Sequence, residues 1–448
     1  MEKEKQENLL DKIGISFHRK LSFKLFIIGF LVILLLIPKV MILSLINERS
    51  TNASEATHEA MSKWSDAQTV TGPVLTIPYQ EKVYNEDKGK VEVFIHEATF
   101  LPKQMNITGT IKPEKLYRSI FDVIVYQSEL QIDGSFDFPD FADLNIPAEN
   151  VLWDQAQLLL SIGDLRGINE AVRIKWSEKE LTFSPGLNHK SIGDRGISVQ
   201  LPEWTNRESY AFNLKLGLKG SESILFTPVG EETTVQLTST WNDPGFIGNF
   251  LPTDRSITQD GFEANWSVLH FNRNFPQQWT DKTSSTVNYT AFHQSDFGVQ
   301  LVSMANHYQK NTRSAKYSIL IILIIFIVFF MYEVFSKQRI HPFQYIMVGS
   351  ALTLFYLLLL SFSEHLGFDM AYLISAAAVI VLVFLYSRTF MAKFKSSVGV
   401  ALAIAACFGF VFILLQLESF ALLAGSIGLF ILLALLMYTT RKVNWYKE

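Results

Sequence analysis

The chain has 448 residues, of which 48% are hydrophobic and only 18% are charged, and its formal net charge is −4. These values are unusual for a soluble protein of this length and are typical of lipid-facing helices joined to a polar domain. The acidic balance shows no basic stripe and predicts no nucleic-acid partner, and the single cysteine, Cys407, excludes a fold stapled by disulfides.

A membrane anchor is predicted near the N-terminus. Residues 1–24 are polar and basic, and an apolar run at 25–46 follows them. No small-x-small cleavage pattern follows the run closely, so we interpret it as an uncleaved transmembrane helix rather than a signal peptide. Because proline cannot donate a hydrogen bond to the preceding turn, Pro38 predicts a kink in this helix.

Residues 47–316 are predicted to form one large polar domain. Residues 50–67 have apolar side chains at helical spacing and predict a helical continuation of the anchor. After them the pattern changes to β-branched and aromatic residues that alternate with polar ones. Clusters of Asn, Asp, Gly and Ser separate these short runs, which is typical of a β-rich (α+β), sandwich-like domain. The strand-like segments are 76–79, 91–95, 122–131, 234–241 and 297–302.

The last third of the chain predicts a block of five transmembrane helices, followed by a short tail at 439–448. Each apolar run approaches the roughly 20 residues that a helix needs to cross a ~30 Å hydrocarbon core. The predicted fold class is therefore an integral membrane α-helical protein with six transmembrane helices and a large β-rich domain between the first two. The five runs are 317–335, 345–362, 370–386, 398–417 and 420–438.

The distribution of charge predicts the orientation in the membrane. Residues 47–316 carry 24 Lys and Arg against 34 Asp and Glu. The N-terminal 24 residues, the tail and the loops 336–344 and 387–397 together carry 14 basic and 5 acidic residues. Because short cytoplasmic loops are enriched in Lys and Arg, both termini are expected in the cytoplasm and the large domain on the other side.

Four short motifs, in this order, resemble the CreD family of bacterial inner membrane proteins and together span nearly the whole chain. The resemblance implies an inner-membrane location, a periplasmic domain, and an association with cell envelope integrity and the Cre two-component response; it implies no established enzymatic activity. We expect the motif residues to be structural. The motifs are 71–78 with Gly72 and Pro73; 161–168 with Gly163, Asp164, Arg166 and Gly167; 239–252 with Trp241, Pro244, Phe250 and Pro252; and 341–365 with His341, Pro342, Gln344 and Tyr345.

Lys39 is the first of four ionisable candidates within or beside the predicted helices. A lysine at the centre of a membrane helix costs about 2.5–3.5 kcal/mol on insertion scales, so such residues are functional candidates. Lys39 lies past the midpoint of its run, and its side chain is expected to reach the interface instead. Glu364, Asp369 and Glu418 on short outer loops are its candidate partners.

The other candidates are Glu333, Glu364 and His365. Glu333 precedes Lys337 by four residues, a spacing that favours an interfacial ion pair within one helix. Glu364 and His365 end a helix, where a histidine could titrate near neutral pH, but a solvated loop is the interpretation that we favour. His341 and Pro342 begin a helix, since proline is favoured in the first turn.

No motif predicts catalysis, a metal site or a cofactor. The exported histidines lack metal-ligand spacing, and there is no nucleophile elbow, phosphate-binding loop or dinucleotide fingerprint. We therefore expect a non-enzymatic protein without catalytic, metal or cofactor residues. An enzyme tethered to the membrane would require a cleft that gathers His, Asp or Glu side chains.

The predicted function is a contribution to cell envelope integrity or the envelope stress response, with a domain that binds or braces an envelope component. Its expected partners are the lipid bilayer and other envelope proteins, lipids or peptidoglycan-related components. The alternative is a transporter or flippase that uses the five-helix block, which would need polar groups in mid-membrane. Polar residues are few there, namely Ser350, Thr353, Ser375, Gln416 and Ser426.

Overall fold

The structure is a computed structural model in which the chain forms two compact units. One unit consists of residues 55–303, and the other of the residues before and after them. The residues described are 23–87, 89–118, 121–187, 192–202, 209–282, 292–301, 306–336, 338–417 and 420–441.

The helices confirm the predicted count and order of membrane spans. Within the described ranges, six helices are long and apolar enough to cross a membrane, one near the N-terminus and five in the last third. α2 and α3 form one of these spans, His307–Ser336. The helices are α1 Phe23–Trp64, α2 Asn306–Lys316, α3 Ser318–Ser336, α4 Pro342–Leu366, α5 Phe368–Ser387, α6 Phe394–Gln416 and α7 Ala421–Thr440.

Proline and glycine mark the interruptions in these helices. In α1 the regular helix breaks at Leu35 and resumes as Leu36–Trp64, because Pro38 has no N–H to donate to the Leu34 carbonyl. Gly367 separates α4 from α5 with φ +77°, a conformation that side chains with a Cβ rarely adopt. Aromatic rings fill the interior of this unit, with Phe355 tilted against Phe408 at 4.4 Å between ring centroids.

Seventeen strands are present in the described part of the domain, in two sheets. Nine strands make the first sheet, in the order β13-β17-β11-β1-β5-β9-β8, with β2 beside β1 and β16 beside β2. Eight make the second, in the order β14-β15-β12-β3-β4-β10-β6-β7. The strands are β1 Gln68–Asn85, β2 Lys90–Phe100, β3 Gln104–Arg118, β4 Phe121–Phe136, β5 Gln157–Ile162, β6 Arg173–Trp176, β7 Lys179–Thr182, β8 Ser184–Pro185, β9 Gly196–Gln200, β10 Tyr210–Ser221, β11 Ser223–Phe226, β12 Glu232–Ser239, β13 Pro244–Gly248, β14 Asp254–Thr258, β15 Gly261–Leu269, β16 Gln278–Thr280 and β17 Phe297–Leu301.

Most neighbouring strands are antiparallel, and two pairs are parallel. In the first sheet β1 runs parallel to β11, with Gln68 opposite Ile224. In the second sheet β3 runs parallel to β12, with Gln104 opposite Glu232. Each parallel pair joins an early strand of the domain to a late one, so neither sheet is complete without both halves of the sequence.

The alternation of polar and apolar residues explains which faces are buried. Along β12 the even-numbered positions are exposed or half-buried, and Thr233, Val235, Leu237 and Ser239 are buried. One continuous hydrophobic cluster takes side chains from both sheets, for example Leu158 from the first and Leu214 from the second. Two sheets around a shared core have the architecture of a sandwich, which confirms the predicted β-rich domain.

Candidate functional site

Asp164 organises a polar cluster where the end of α1 meets the first sheet. We call this cluster, formed by Ser65, Asp66, Gln68, Asp164 and Arg166, the helix–sheet junction. Asp164 caps a short 3-10 turn by accepting a hydrogen bond from the Arg166 backbone N–H. Its carboxylate also accepts from the Ser65 hydroxyl at 3.2 Å and the Asp66 backbone N–H at 3.0 Å. The residues just after α1 are thus fastened to a turn about 100 positions later.

Arg166 supplies the positive charge of the junction. Its Nε and Nη2 donate to Asp164 at 3.0 and 2.7 Å, and Nη2 also donates to Asp66 at 3.1 Å. Nη1 donates to the Ser62 carbonyl in the last turn of α1. The Asp164 side chain is 3% exposed, whereas that of Arg166 is 54% exposed. The buried carboxylate therefore has a cation that stays in contact with solvent.

The hydrogen bonds of the junction keep Asp164 ionised. Burial opposes its negative charge, but donation from the Arg166 side chain and from the Asp66 and Arg166 backbone N–H groups outweighs burial. As a result, the pKa of Asp164 lies well below its usual range. The same contacts raise the pKa of the Arg166 guanidinium.

Gln68 completes the junction, although no sequence motif pointed to this residue. Its Nε2 donates to the Ser65 hydroxyl at 2.9 Å, the Asp164 carbonyl at 3.1 Å and the Lys219 carbonyl at 2.8 Å. Its Oε1 accepts from the Asp164 backbone N–H at 3.1 Å. Gly163 and Gly167 lie against the neighbouring backbone, where a side chain would collide with main-chain atoms. The 161–168 motif therefore builds this junction.

Gly72 and Pro73 lie at an irregularity in the first sheet. The register between β1 and β5 shifts between Thr71 and Val74, which is a β-bulge. Gly72 has φ +115°, and a Cβ there would lie 2.7 Å from the Leu159 carbonyl oxygen. Only glycine fits this close approach of two strands.

The 239–252 motif carries the chain from the second sheet to the first. Trp241 follows β12, and its indole N–H donates to the Asp243 carbonyl at 2.9 Å. Pro244 then begins β13, which pairs with β17 in the first sheet. Phe250 packs edge-on against Phe297 with 5.9 Å between ring centroids. Half-buried Pro252 follows Leu251 and precedes β14, which lies in the second sheet.

The β1–β2 hairpin presents an exposed apolar surface. Tyr84 lies opposite Val91, Lys82 opposite Val93 and Gln80 opposite Ile95, and directly opposite residues share one face. Tyr84, Val91, Val93 and Ile95 are all exposed; Ile95 has an exposed fraction of 64%. We call these four side chains the hairpin face. The alternating Val-Glu-Val stretch predicted a strand, but not that its apolar side would remain exposed.

A charged pair connects α1 to α3 in the unit formed by residues 1–54 and 304–448, which we call the membrane unit. Lys24 near the start of α1 forms an ion pair with Glu333 in α3, and both side chains are largely buried. Lys24 also donates to the Ile340 carbonyl at 2.7 Å and lies 5.9 Å from the ring centroid of Tyr345. Lys337, the partner predicted for Glu333, lies outside the described residues, so that pair stays a prediction.

The motif that begins at His341 forms the N-terminal cap of α4. The His341 Nδ1 accepts from the Phe343 backbone N–H at 3.2 Å, and the Gln344 side chain accepts from the His341 N–H at 2.9 Å. Pro342 occupies the first turn, as proline in a helix should. Buried Tyr345 packs edge-on against Phe326 at 5.3 Å. This reciprocal cap gives the first residues of the motif a structural role.

The remaining candidates are distributed around the membrane unit. Lys39 is half-buried and forms no ion pair with any described residue. Glu364 accepts from the Tyr308 hydroxyl at 3.1 Å, and Asp369 accepts from Gln416 at 2.9 Å. His365 is exposed in the last turn of α4. Glu418, the third predicted partner of Lys39, lies outside the described ranges.

The described residues contain no group of three or more His, Cys, Asp or Glu side chains that could hold a metal ion. Two of the polar clusters that they do form, the helix–sheet junction and the Lys24–Glu333 pair, join secondary-structure elements. Their chemistry is hydrogen bonding and charge pairing.

Comparison with known proteins places the chain in a family. Residues 20–446 match the family described as inner membrane protein CreD. The chain belongs to the CreD family. Inner membrane protein CreD of Escherichia coli (strain K12) is 32% identical over 422 residues, which cover 93% of this chain and 91% of that protein. The chain is accordingly a multi-pass inner membrane protein.

The CreD motifs identified in the sequence occupy structural positions in this member of the family. One forms a β-bulge, one the helix–sheet junction, one the crossover between the two sheets and one the cap of α4. Two features were not found by sequence reasoning. Gln68 and Ser65 join the junction from a segment without a recognisable motif, and Lys24 reaches Glu333 across 309 positions.

Proposed function

We propose that this CreD-family protein is non-enzymatic and contributes to cell envelope integrity. In this proposal both termini are cytoplasmic, the two-sheet domain is periplasmic, and the domain binds or braces a component of the envelope. The observation that carries the proposal is the way in which the domain is attached. The chain enters it from one membrane span and leaves it into the next, and the helix–sheet junction fastens the end of the entering helix to the first sheet.

The charge distribution supports the orientation. The short loops 336–344 and 387–397 carry an excess of Lys and Arg, whereas residues 47–316 carry an excess of Asp and Glu. The positive-inside rule assigns such loops to the cytoplasm.

The hairpin face supports binding by the domain. Surface clusters of apolar side chains on soluble domains are typical of interaction sites, whereas single exposed apolar residues are ordinary. Tyr84, Val91, Val93 and Ile95 lie together on one side of two paired strands. An envelope component that offers apolar groups would remove this surface from water.

The proposal is tested by complementation of a strain that lacks the gene. The full chain and the variant with both Val93→Lys and Ile95→Lys are compared for detergent sensitivity and for leakage of a periplasmic enzyme. We expect the double variant to accumulate normally in the membrane and to fail to restore the barrier. Ile257→Lys, at an equally exposed apolar residue of β14, is the matched control and should restore it. Full restoration by the double variant would contradict binding through the hairpin face.

Transport through the five-helix block has less support. The Thr353 hydroxyl donates to the Ser350 carbonyl at 2.8 Å, and the Ser426 hydroxyl donates to the Leu423 carbonyl at 2.9 Å. These groups are satisfied within their own helices.

A further inference from the structure

A groove lies between α1 and α4 in the membrane unit. Its volume is about 550 Å³. Pro38, Leu45 and Glu48 of α1 line one side, and Ser350, Thr353 and Leu357 of α4 line the other. Since Thr353 uses its hydroxyl on the Ser350 carbonyl, it leaves a largely apolar wall toward the groove.

The break in α1 explains where the groove begins. Before the break, Leu35 packs directly over Gly349 of α4, where the missing Cβ leaves room for it. Pro38 follows at the start of the groove and removes one hydrogen bond of the helix. The two helices are therefore in contact at Leu35 and Gly349 and line the groove beyond this point.

The length of the groove matches one leaflet of a bilayer. Glu48 follows Pro38 by ten residues, which is ~15 Å along a helix and half of a ~30 Å hydrocarbon core. Lys24 lies at the opposite polar edge of the same helix. Pro38 is thus near the middle of the membrane, and Glu48 is at the edge of the leaflet that holds the second half of the span.

The charges at the polar end select a headgroup. Glu48 lines the groove, is exposed, and has no ion-pair partner within the part of the chain that the structure describes. Arg49 is the next residue, is also exposed, and lies beside the groove lining, where its charge also acts on Tyr308 of α2. A carboxylate attracts an ammonium group and repels an anionic headgroup, whereas an arginine attracts the phosphate that all phospholipids share.

We propose that this groove binds one phospholipid whose headgroup carries a primary amine. One acyl chain lies between α1 and α4 from Pro38 to Leu45, the ammonium group contacts Glu48, and the phosphate contacts Arg49. The site depends on helix packing within the membrane unit. It does not depend on the orientation or the function proposed above.

The test is native mass spectrometry of the full-length protein, purified in detergent and supplied with equal amounts of phosphatidylethanolamine and phosphatidylglycerol. We expect about two- to fivefold preferential retention of phosphatidylethanolamine, as one exposed ion pair provides. Glu48→Gln should remove the preference, and Arg49→Gln should weaken retention of both lipids. Glu55→Gln, an exposed acid on the same helix outside the groove, is the control and should preserve the preference.

Filling the groove tests the acyl-chain part of the site. Thr353→Trp should abolish retention of both lipids. If the larger side chain prevents folding, the surface variant Glu48→Gln still tests the proposal through the loss of headgroup preference. Equal retention of the two lipids by the unmodified protein, or a preference for phosphatidylglycerol, would overturn the proposal. So would a dimer, free of bound lipid, that Thr353→Trp dissociates, because the groove would then hold a second copy.

Discussion

At the scale of single residues, charged side chains differ in how much they contribute to the stability of the fold. Asp164 is buried and accepts hydrogen bonds from four groups of the helix–sheet junction. Asp137, by contrast, pairs with Lys103 at 2.8 Å while both side chains remain about half exposed. Removing one partner of a buried charge pair lowers the free energy of unfolding by several kcal/mol, whereas exposed pairs contribute little to it.

Asp164→Asn should lower the free energy of unfolding of the domain by about 2 kcal/mol, because the charge-assisted hydrogen bonds weaken inside a desolvated site. Thermal unfolding of the purified protein, followed by near-UV circular dichroism, measures the change. Asp137→Asn is the matched control and should cost less than about 0.5 kcal/mol. Equal effects of the two substitutions would show that the junction contributes no more than a surface pair.

Because the pKa of Asp164 is depressed, the difference in free energy of unfolding between the unmodified protein and Asp164→Asn should depend on pH. A carboxyl group whose pKa is lower in the folded state stabilises the fold above its unfolded pKa, and the contribution is lost as pH falls through the folded pKa. The stability gap between the unmodified protein and Asp164→Asn should thus persist from pH ~7 to pH ~4. Below pH ~4 the gap should narrow, and a gap that stays constant as the pH falls to ~2 would place the pKa of Asp164 in the ordinary range.

Gly72 and Gly186 provide a second matched pair. Both have positive φ, +115° and +113°, but a Cβ on Gly72 would approach the Leu159 carbonyl, whereas a Cβ on Gly186 would have no atom of the described residues within 4 Å beyond its chain neighbours. Gly186→Ala should cost about 1 kcal/mol for the backbone conformation alone, and Gly72→Ala about 3 kcal/mol because the β-bulge must also move. Urea unfolding midpoints of the two variants measure the difference, and equal midpoints would exclude the steric account.

At the scale of elements, periodicity predicted where helices and strands lie better than it predicted how they end or pair. The helical pattern at 50–67 predicted a continuation of the apolar run 25–46, and the structure has both in α1, because no proline or glycine lies between residues 47 and 64. The strand pattern at 91–95 falls within β2. Its exposed hairpin face was not predictable, since exposure depends on which strands flank it.

The ion pair between Lys24 and Glu333 connects two membrane helices and can be measured as a coupling. Lys24→Gln, Glu333→Gln and the double variant form a mutant cycle in which the free energies of unfolding in detergent are compared. We expect a coupling of about 1–3 kcal/mol, since both side chains are largely buried. The exposed pair of Glu59 and Lys63 in α1 is the control and should give a few tenths of a kcal/mol. Additive effects of Lys24→Gln and Glu333→Gln would show that the pair does not hold α1 to α3.

At the scale of the whole molecule, the six spans were predictable because a bilayer imposes one length and one composition on every helix that crosses it. The domain was predictable as a sandwich-like fold but not in its topology. β1 pairs with β11 and β3 pairs with β12, and no local sequence pattern predicts parallel pairing between strands so far apart in the chain. The helix–sheet junction was visible only in part, through Asp164 and Arg166, because Gln68 and Ser65 join it from another segment.

The orientation of the molecule can be measured with reporter fusions. Fusions after Asn47 and after Ser363 should report a periplasmic location, and fusions after Arg339 and Arg388 a cytoplasmic one, because the basic loops stay inside. Alkaline phosphatase and a fluorescent protein that matures only in the cytoplasm give opposite signals at each site. A cytoplasmic signal from a fusion at residue 150 would contradict the orientation.

The parallel pairing of β1 with β11 has a consequence for biosynthesis. β1 is among the first strands to leave the ribosome, yet it waits for β11, and β11 in turn borders β17, the last strand before the second span. The first sheet therefore closes only after nearly the entire domain has been synthesised. Until then the edges of its incomplete strands are exposed, so a holdase chaperone that binds unpaired strands would find its substrate here during synthesis.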